Sequence, residues 1–193
     1  MNSHRPNSFI ISASDHGTMI VNRNDYREQE NGVIGVGAQI LNTQSFDKRE
    51  VELVLRILRK RREIYGSGVM ALDCGANIGV HTIEWAKTMY GWGNVHAFEA
   101  QERLFYALAG NIAVNNCANA RATWAAVGKL DGTIGVPILN YDRPASFGSL
   151  ELRASKSNED IGQPVDYASS KTQKTPLVSL DSQSFKRVDF IKI

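Results

Sequence analysis

The sequence lacks the features of disulfide-rich, membrane-spanning and secreted proteins. It has only two cysteines in 193 residues, Cys74 and Cys117, which cannot form a disulfide framework, so a reducing compartment is the default. No apolar run approaches the roughly 20 residues of a membrane-spanning helix. The first seven residues are polar and lack the apolar centre of a signal peptide. We therefore expect a cytoplasmic protein with no membrane partner.

A strong charge of either sign is also missing. Lys and Arg number 22 against 20 Asp and Glu, and the formal net charge of +2 is too small to predict nucleic acid as a partner. His81 and His96 have no second histidine or acid at metal-ligand spacing, so we predict no metal site. The 42% of hydrophobic residues suffices for one substantial core.

The stretch most informative about function is an apolar run followed by a loop with two glycines. Val69–Cys74 has the composition of a buried strand, the loop Gly75-Ala76-Asn77-Ile78-Gly79 follows, and a helical pattern then begins. Glycine lacks the Cβ that would hold a ligand away, and a helix start offers unpaired N–H groups. The pattern predicts a backbone that approaches a ligand closely.

A second predicted strand, Val95–Phe98, ends next to an acidic residue. Glu99 lies 20 residues beyond Gly79. In nucleotide-binding βαβ units, an acid at about this distance accepts hydrogen bonds from ribose hydroxyls. The loop and the acid together predict a nucleoside-containing cofactor.

The loop favours one such cofactor over another. The dinucleotide fingerprint G-x-G-x-x-G brings a pyrophosphate to the helix start, but its middle glycine is absent here. Asp73 adds a carboxylate that would repel a diphosphate and suits an amine or another cation. S-adenosylmethionine has a sulfonium and an amino group and no phosphate, and we therefore predict that it is the cofactor. The predicted cofactor-binding residues are Asp73, Gly75, Ala76, Asn77, Gly79 and Glu99.

Two of these residues have more specific expected roles. Asp73 is expected to contact the amino group of the donor, directly or indirectly. Asn77 either permits a left-handed backbone or makes a polar contact, and the sequence does not separate these roles.

Three segments together resemble the FkbM-type methyltransferase family. They are Leu72–Gly79, the pair Phe98-Glu99, and the strand-like end Val188–Ile193. The similarity extends over roughly residues 30 to 193, and it implies a class I, Rossmann-like enzyme that uses S-adenosylmethionine. It further implies transfer of a methyl group to an oxygen of a small molecule or glycan.

The resemblance also bears on the acceptor side of the site. In the family, the region corresponding to 140–149 lies near the methyl-transfer site, which makes Tyr141 and Phe147 candidate acceptor-binding residues. A plain surface connection is an equally open interpretation of this loop. The family's closing strand continues into Asp-Val-Glu-Gly, which would follow Ile193, so no general base is assigned.

Alternating strand and helix patterns predict the fold class. We expect an α/β, Rossmann-like three-layer sandwich with a mostly parallel sheet, truncated after a fourth core strand at Val188–Ile193. This last strand would lie centrally, beside the first core strand, and a third core strand is expected at 122–127.

The N-terminal part is expected to pack on this core. An apolar stripe of the helix before the first strand should contact the sheet, formed by Val51, Val54, Leu55 and Leu58. Residues 1–65 would form a lead-in of a β-hairpin and a helix, and residues 66–193 the cofactor-binding domain. Asp47 and Glu50 have the spacing of a capping box at the start of the lead-in helix.

Other functions stay open at this stage. A non-catalytic donor-binding remnant or interaction module would fit a truncated chain, and such a chain is expected to transfer methyl groups poorly. An open sheet edge would favour a homo-oligomer. An NAD-linked oxidoreductase would share the ribose acid but lacks the glycine pattern.

Overall fold

The structure, a computed structural model, describes residues 7–30 and 32–193. Residues 1–6, which belong to the predicted lead-in, and residue 31 lie outside the described residues. In chain order the elements are β1 (Phe9–Ser14), β2 (Gly17–Asn22), β3 (Arg27–Gln29), β4 (Gly32–Ile34), α1 (Val36–Thr43), α2 (Lys48–Tyr65), β5 (Val69–Cys74), α3 (Val80–Thr88), β6 (Gly93–Glu99), α4 (Glu102–Val114), β7 (Ala120–Trp124), β8 (Ala126–Val127), β9 (Gly132–Pro137), β10 (Thr172–Val178) and β11 (Phe190–Lys192).

The centre of the fold is a four-stranded parallel sheet with the order β11-β5-β6-β7. In the β5–β6 pair the register runs from Val69 opposite Gly93 to Cys74 opposite Phe98. The register therefore brings the carboxyl ends of β5 and β6 to the same edge of the sheet. The glycine loop and Glu99 both begin at that edge. Residues Val188–Ile193 were predicted to contain a strand beside the first core strand, and β11 pairs with β5 as expected.

Helices α2, α3 and α4 supply the apolar residues that pack with one face of this sheet. The predicted stripe of α2, with Val51, Val54, Leu55 and Leu58, is buried in the main core together with Val69 and other residues of the sheet. The predicted capping box at its start is wrong. Asp47 adopts a left-handed conformation (φ 38°) and its side chain makes no capping hydrogen bond. Glu50 pairs instead with His81, as described below.

The other face of the sheet packs against irregular chain. Leu72, Cys74 and Phe98 contact Leu180 and Phe185 of the segment between β10 and β11. The predicted third strand at 122–127 is divided in the structure. Its first part lies in β7, whereas β8 pairs with β10 in a separate three-stranded sheet of order β8-β10-β9.

The predicted N-terminal hairpin is confirmed as β1 and β2, which pair antiparallel. The buried side chain of Asn111 in α4 joins this hairpin to the glycine loop. Its Oδ1 accepts the Ile20 N–H at 2.6 Å, and its Nδ2 donates to the Ile78 carbonyl at 2.8 Å. The hairpin thereby helps to hold the loop in place.

The predicted α/β class with a mostly parallel, Rossmann-like sheet is therefore confirmed. None of the helices in the described residues combines the length and the apolar character that a membrane span requires.

Candidate functional site

The glycine loop is tied to the end of β6 by backbone hydrogen bonds. The N–H groups of Gly75 and Ala76 both donate to the Phe98 carbonyl at 2.9 Å. Gly75 has φ 75°, which favours glycine, and a Cβ placed there would have no heavy atom within 4 Å beyond its chain neighbours. The loop therefore presents bare backbone to open space at this point.

The side chain of Glu99, the last residue of β6, also holds the glycine loop against this strand. Its Oε2 accepts the Asn77 N–H and its Oε1 accepts the Gln101 N–H, each at 2.8 Å. Burial of this carboxyl, which is only 5% exposed, raises its pKa to about 7, although the two N–H donors act in the opposite direction. Asn77 is left-handed (φ 52°), and its own Oδ1 accepts the Ile78 N–H at 2.7 Å.

Gly79 serves the packing of two helices. It lies at φ 90°, and a Cβ there would come within 2.5 Å of Leu108 Cδ1 in α4. The absence of a side chain lets α3 start close to α4. Among the described residues, no side chain caps this start of α3, so its first N–H groups have no side-chain acceptor and the positive end of the helix dipole lies there.

Asp73, at the end of β5, is fully buried and has partners for both oxygens. Oδ2 accepts the Thr82 hydroxyl at 2.7 Å, and Oδ1 lies 3.3 Å from Lys192 Nζ. Sequence reasoning did not single out Lys192. Its position on a closing strand predicted to lie beside β5 was the available signal, because the parallel register sets Lys192 opposite Asp73.

Two cavities meet at the loop. The first cavity, about 340 Å³, is bounded by the starts of α1, α2 and α3 and by Lys192. The second cavity, about 250 Å³, is bounded by residues 99–101, by residues 125–127 and by Leu150 and Leu152. Gly75, Asn77 and Gly148 line both cavities, so the loop divides one concave surface into two parts.

The first cavity also holds a histidine–glutamate pair. His81, in the first turn of α3 and 5% exposed, has its Nε2 3.4 Å from Glu50 Oε1, while its buried Nδ1 has no partner among the described residues. Burial lowers the pKa of His81, against the influence of Asp73 and Glu50, so the imidazole is neutral near pH 7. In residues 7–30 and 32–193, no group of three or more His, Cys, Asp or Glu side chains is placed to hold a metal ion.

The two predicted acceptor-binding aromatics have structural partners. The Tyr141 hydroxyl donates to Gln101 Oε1 at 3.0 Å, and Gln101 Nε2 donates to the Phe147 carbonyl at 2.9 Å. The rings of Tyr141 and Phe147 lie 4.8 Å apart, and Phe147 is fully buried. Tyr141 lines a separate depression beside Phe9. In the same loop, Ser146, Gly148 and Ser149 line the first cavity.

Comparison with known proteins gives one family and several distant structures. The Methyltransferase FkbM domain matches residues 73–193. Similar solved structures include a precorrin-6y C5,15-methyltransferase from Geobacter metallireducens GS-15 (17% identity, TM-score 0.35, 44% of this chain and 42% of that chain). Others are a SAM-dependent methyltransferase from Aquifex aeolicus (19%, 0.31, 48% and 52%) and a SAM-dependent O-methyltransferase from Thermotoga maritima (12%, 0.35, 63% and 57%).

This chain spans between 42% and 57% of the length of those three proteins. No curated protein matches it significantly in sequence. The family match, by contrast, covers more than half of the chain and includes the glycine loop, Glu99 and the closing strand β11. The chain belongs to the FkbM methyltransferase domain family.

Proposed function

We propose that this chain binds S-adenosylmethionine across the two cavities and directs its methyl group to an oxygen acceptor, a hydroxyl of a small molecule or glycan. The hydrogen bond from Asn77 N–H to Glu99 is the observation that carries the proposal. It joins the glycine loop and the ribose acid into one unit, with a cavity on either side.

The residues present fit such a donor. The bare backbone at Gly75 leaves room where a nucleoside would pass between the cavities. Each oxygen of Glu99 accepts one N–H and retains a lone pair for a ribose hydroxyl. The second cavity has an apolar wall that suits an adenine ring, lined by Ala100, Ala125, Ala126, Val127 and Leu150. The first cavity has charged groups of both signs that suit an amino-acid end.

S-adenosylmethionine supplies, when bound, a methyl group on a positively charged sulfur. The contribution of this chain is positioning and the exclusion of water, which together account for much of such a rate enhancement. Transfer would form a bond between the acceptor oxygen and the methyl carbon as the bond from that carbon to sulfur breaks, and the hydroxyl proton would pass to a base. The carboxylate of Glu50 lines the first cavity, is about half exposed and lies 3.4 Å from His81 Nε2, and it is the group placed to accept that proton.

Titration calorimetry with S-adenosylmethionine, S-adenosylhomocysteine and NAD tests the donor part of the proposal. We expect both sulfur nucleosides to bind more tightly than NAD, because the loop lacks the diphosphate glycine. Tighter binding of NAD would contradict the assignment.

Turnover is tested separately by following S-adenosylhomocysteine release with a panel of sugars and other hydroxyl compounds. Glu50→Gln should lower the rate of release by a larger factor than it lowers donor affinity. Donor binding without release on any acceptor would favour the non-catalytic alternative.

A further inference from the structure

At the end of β5, the first cavity is lined by the positive side chain of Lys192 and not by the negative side chain of Asp73. Asp73 is fully buried and does not line the first cavity, whereas Lys192 does, with 26% of its side chain exposed. Both Asp73 oxygens are engaged, by Thr82 and by Lys192. The carboxylate is therefore used within the protein, and an ammonium takes its place at the cavity wall.

We propose that Lys192 binds the carboxylate of the donor's amino-acid end and makes the first cavity specific for a donor that carries this end. The inference rests on the proposed function. A lysine ammonium has three N–H donors and no acceptor. One of them points to Asp73, which leaves two for an anionic ligand. Asp73 and Thr82 act as the support that holds the ammonium in place.

The surroundings of Lys192 favour the same ligand end. The start of α3 lies in the same cavity, where Gly79, Val80 and His81 form part of the wall, and its dipole adds positive potential. The lining of the same cavity also includes two acidic residues, Asp47 and Glu50, at the start of α2. A cavity with both cationic and anionic groups complements an α-amino acid group, whose carboxylate and ammonium are attached to one carbon.

The ionisable side chains around Lys192 are mostly acidic. The buried Asp73 carboxylate is its direct partner, and Asp47 and Glu50 add two negative charges to the cavity. His81 is neutral because burial lowers its pKa, and it therefore does not compete for the donor's carboxylate as a cation.

Two ligands that differ only at the amino-acid end test the inference. S-adenosylhomocysteine has that end, and 5′-methylthioadenosine has the same adenosine and thioether without it. For Lys192→Gln, which retains a donor for Asp73 but no charge, we expect S-adenosylhomocysteine affinity to fall about 10- to 100-fold. The affinity of 5′-methylthioadenosine should stay unchanged, and Lys192→Arg should retain most of the difference between the ligands.

A control separates ligand contact from fold support. Lys192→Gln leaves the buried Asp73 without a counter-charge, so the double variant Asp73→Asn/Lys192→Gln, which replaces the ion pair by two amides, is measured as well. Loss confined to S-adenosylhomocysteine in the double variant supports the inference. Equal loss for both ligands, or no loss for either, would overturn it.

The wild-type protein distinguishes failure of this inference from failure of the proposed function. Equal wild-type affinities for the two ligands would overturn the inference alone, since the amino-acid end would then contribute nothing. Binding of neither ligand would overturn the proposed function, and this inference with it.

Discussion

At the scale of single residues, Glu99 has a structural role and a proposed role in binding. Its carboxylate accepts two backbone N–H groups of the protein, and in the proposed complex it also accepts ribose hydroxyls. Burial raises its pKa to about 7, so its charge changes within the physiological pH range. Ribose hydroxyls donate to the charged form, which makes donor binding and loss of this proton linked events.

We predict that Glu99→Ala lowers donor affinity about 10- to 150-fold, the equivalent of losing about 1.5–3 kcal/mol of charge-assisted hydrogen bonding. In the wild-type protein, affinity for S-adenosylhomocysteine should fall as the pH decreases from 8 to 6, by up to about tenfold per unit below the pKa. Calorimetric titration over this range measures both effects.

Glu99→Gln is the matched control for the pH effect. It retains one acceptor oxygen in the same shape but cannot titrate, so its affinity should be lower than that of the wild type at pH 8 and nearly independent of pH. An unchanged dissociation constant for a folded Glu99→Ala protein would return Glu99 to a purely structural role.

At the scale of elements, the two glycines of the loop have different tasks although both have positive φ. Gly79 lets α3 begin against α4, because a Cβ would meet Leu108 at 2.5 Å. Gly75 has open space at the same position and lines both cavities. The first position concerns packing, and the second concerns room for a ligand.

Gly79→Ala should therefore cost more stability than Gly75→Ala. We expect about 2–4 kcal/mol for Gly79→Ala, from backbone strain and overpacking, and about 1–2 kcal/mol for Gly75→Ala, from backbone strain alone. Gly75→Ala should also reduce the donor affinity of the folded protein, because the added methyl group occupies room that the ligand needs. Urea unfolding at constant m-value and donor titration of the folded proteins measure the two effects. The reverse order of stabilities would contradict this assignment.

At the scale of the whole molecule, Asp25 holds separate parts of the chain around the first cavity. It is almost fully buried, and its Oδ1 accepts the Phe147 N–H at 3.0 Å while Oδ2 accepts the Gly37 N–H at 3.1 Å. It thereby joins the segment after the hairpin, the start of α1 and the loop of Ser146–Ser149. Burial raises its pKa to about 6.

The raised pKa of Asp25 predicts how stability depends on pH. Between its ordinary value of 3.8 and about 6, the folded protein retains a proton that the unfolded chain releases. The free energy of unfolding should therefore decrease as the pH rises through this window, by on the order of 3 kcal/mol from this group. Asp189, whose pKa is lowered by its arginine partners against the effect of burial, titrates below this window.

Urea unfolding of the wild type and of Asp25→Asn at intervals from pH 4 to pH 7 tests this. The variant should be less stable at pH 4, because the amide replaces an acceptor oxygen, and its stability should change less across the window. The pH dependence of stability that remains in the variant is assigned to Glu99, whose pKa is also raised by burial. Identical slopes for the two proteins would show that Asp25 does not titrate as described.

Contiguous stretches of sequence were sufficient to predict much of this protein. The strand, loop and helix of residues 69–88, the apolar stripe of α2 and the place of β11 beside β5 follow from local periodicity, glycine chemistry and the family resemblance. The capping interpretation of Asp47 failed, because residue spacing does not specify the left-handed backbone that this residue adopts, and its side chain makes no capping hydrogen bond. The site residues Gly75, Asn77 and Glu99 meet because each lies at the carboxyl end of a parallel strand or just beyond it.

The charges of the site were decided only by tertiary structure. Lys192 meets Asp73 across 119 residues of sequence, and the Tyr141 hydroxyl meets Gln101 across 40. Such contacts depend on strand register and on which side chains become buried together. Neither property is encoded in a local pattern, since a one-residue shift in register would turn Lys192 to the other face of the sheet. The sequence by itself determined the backbone of the glycine loop, whereas burial and register decided which charges line the cavities beside it.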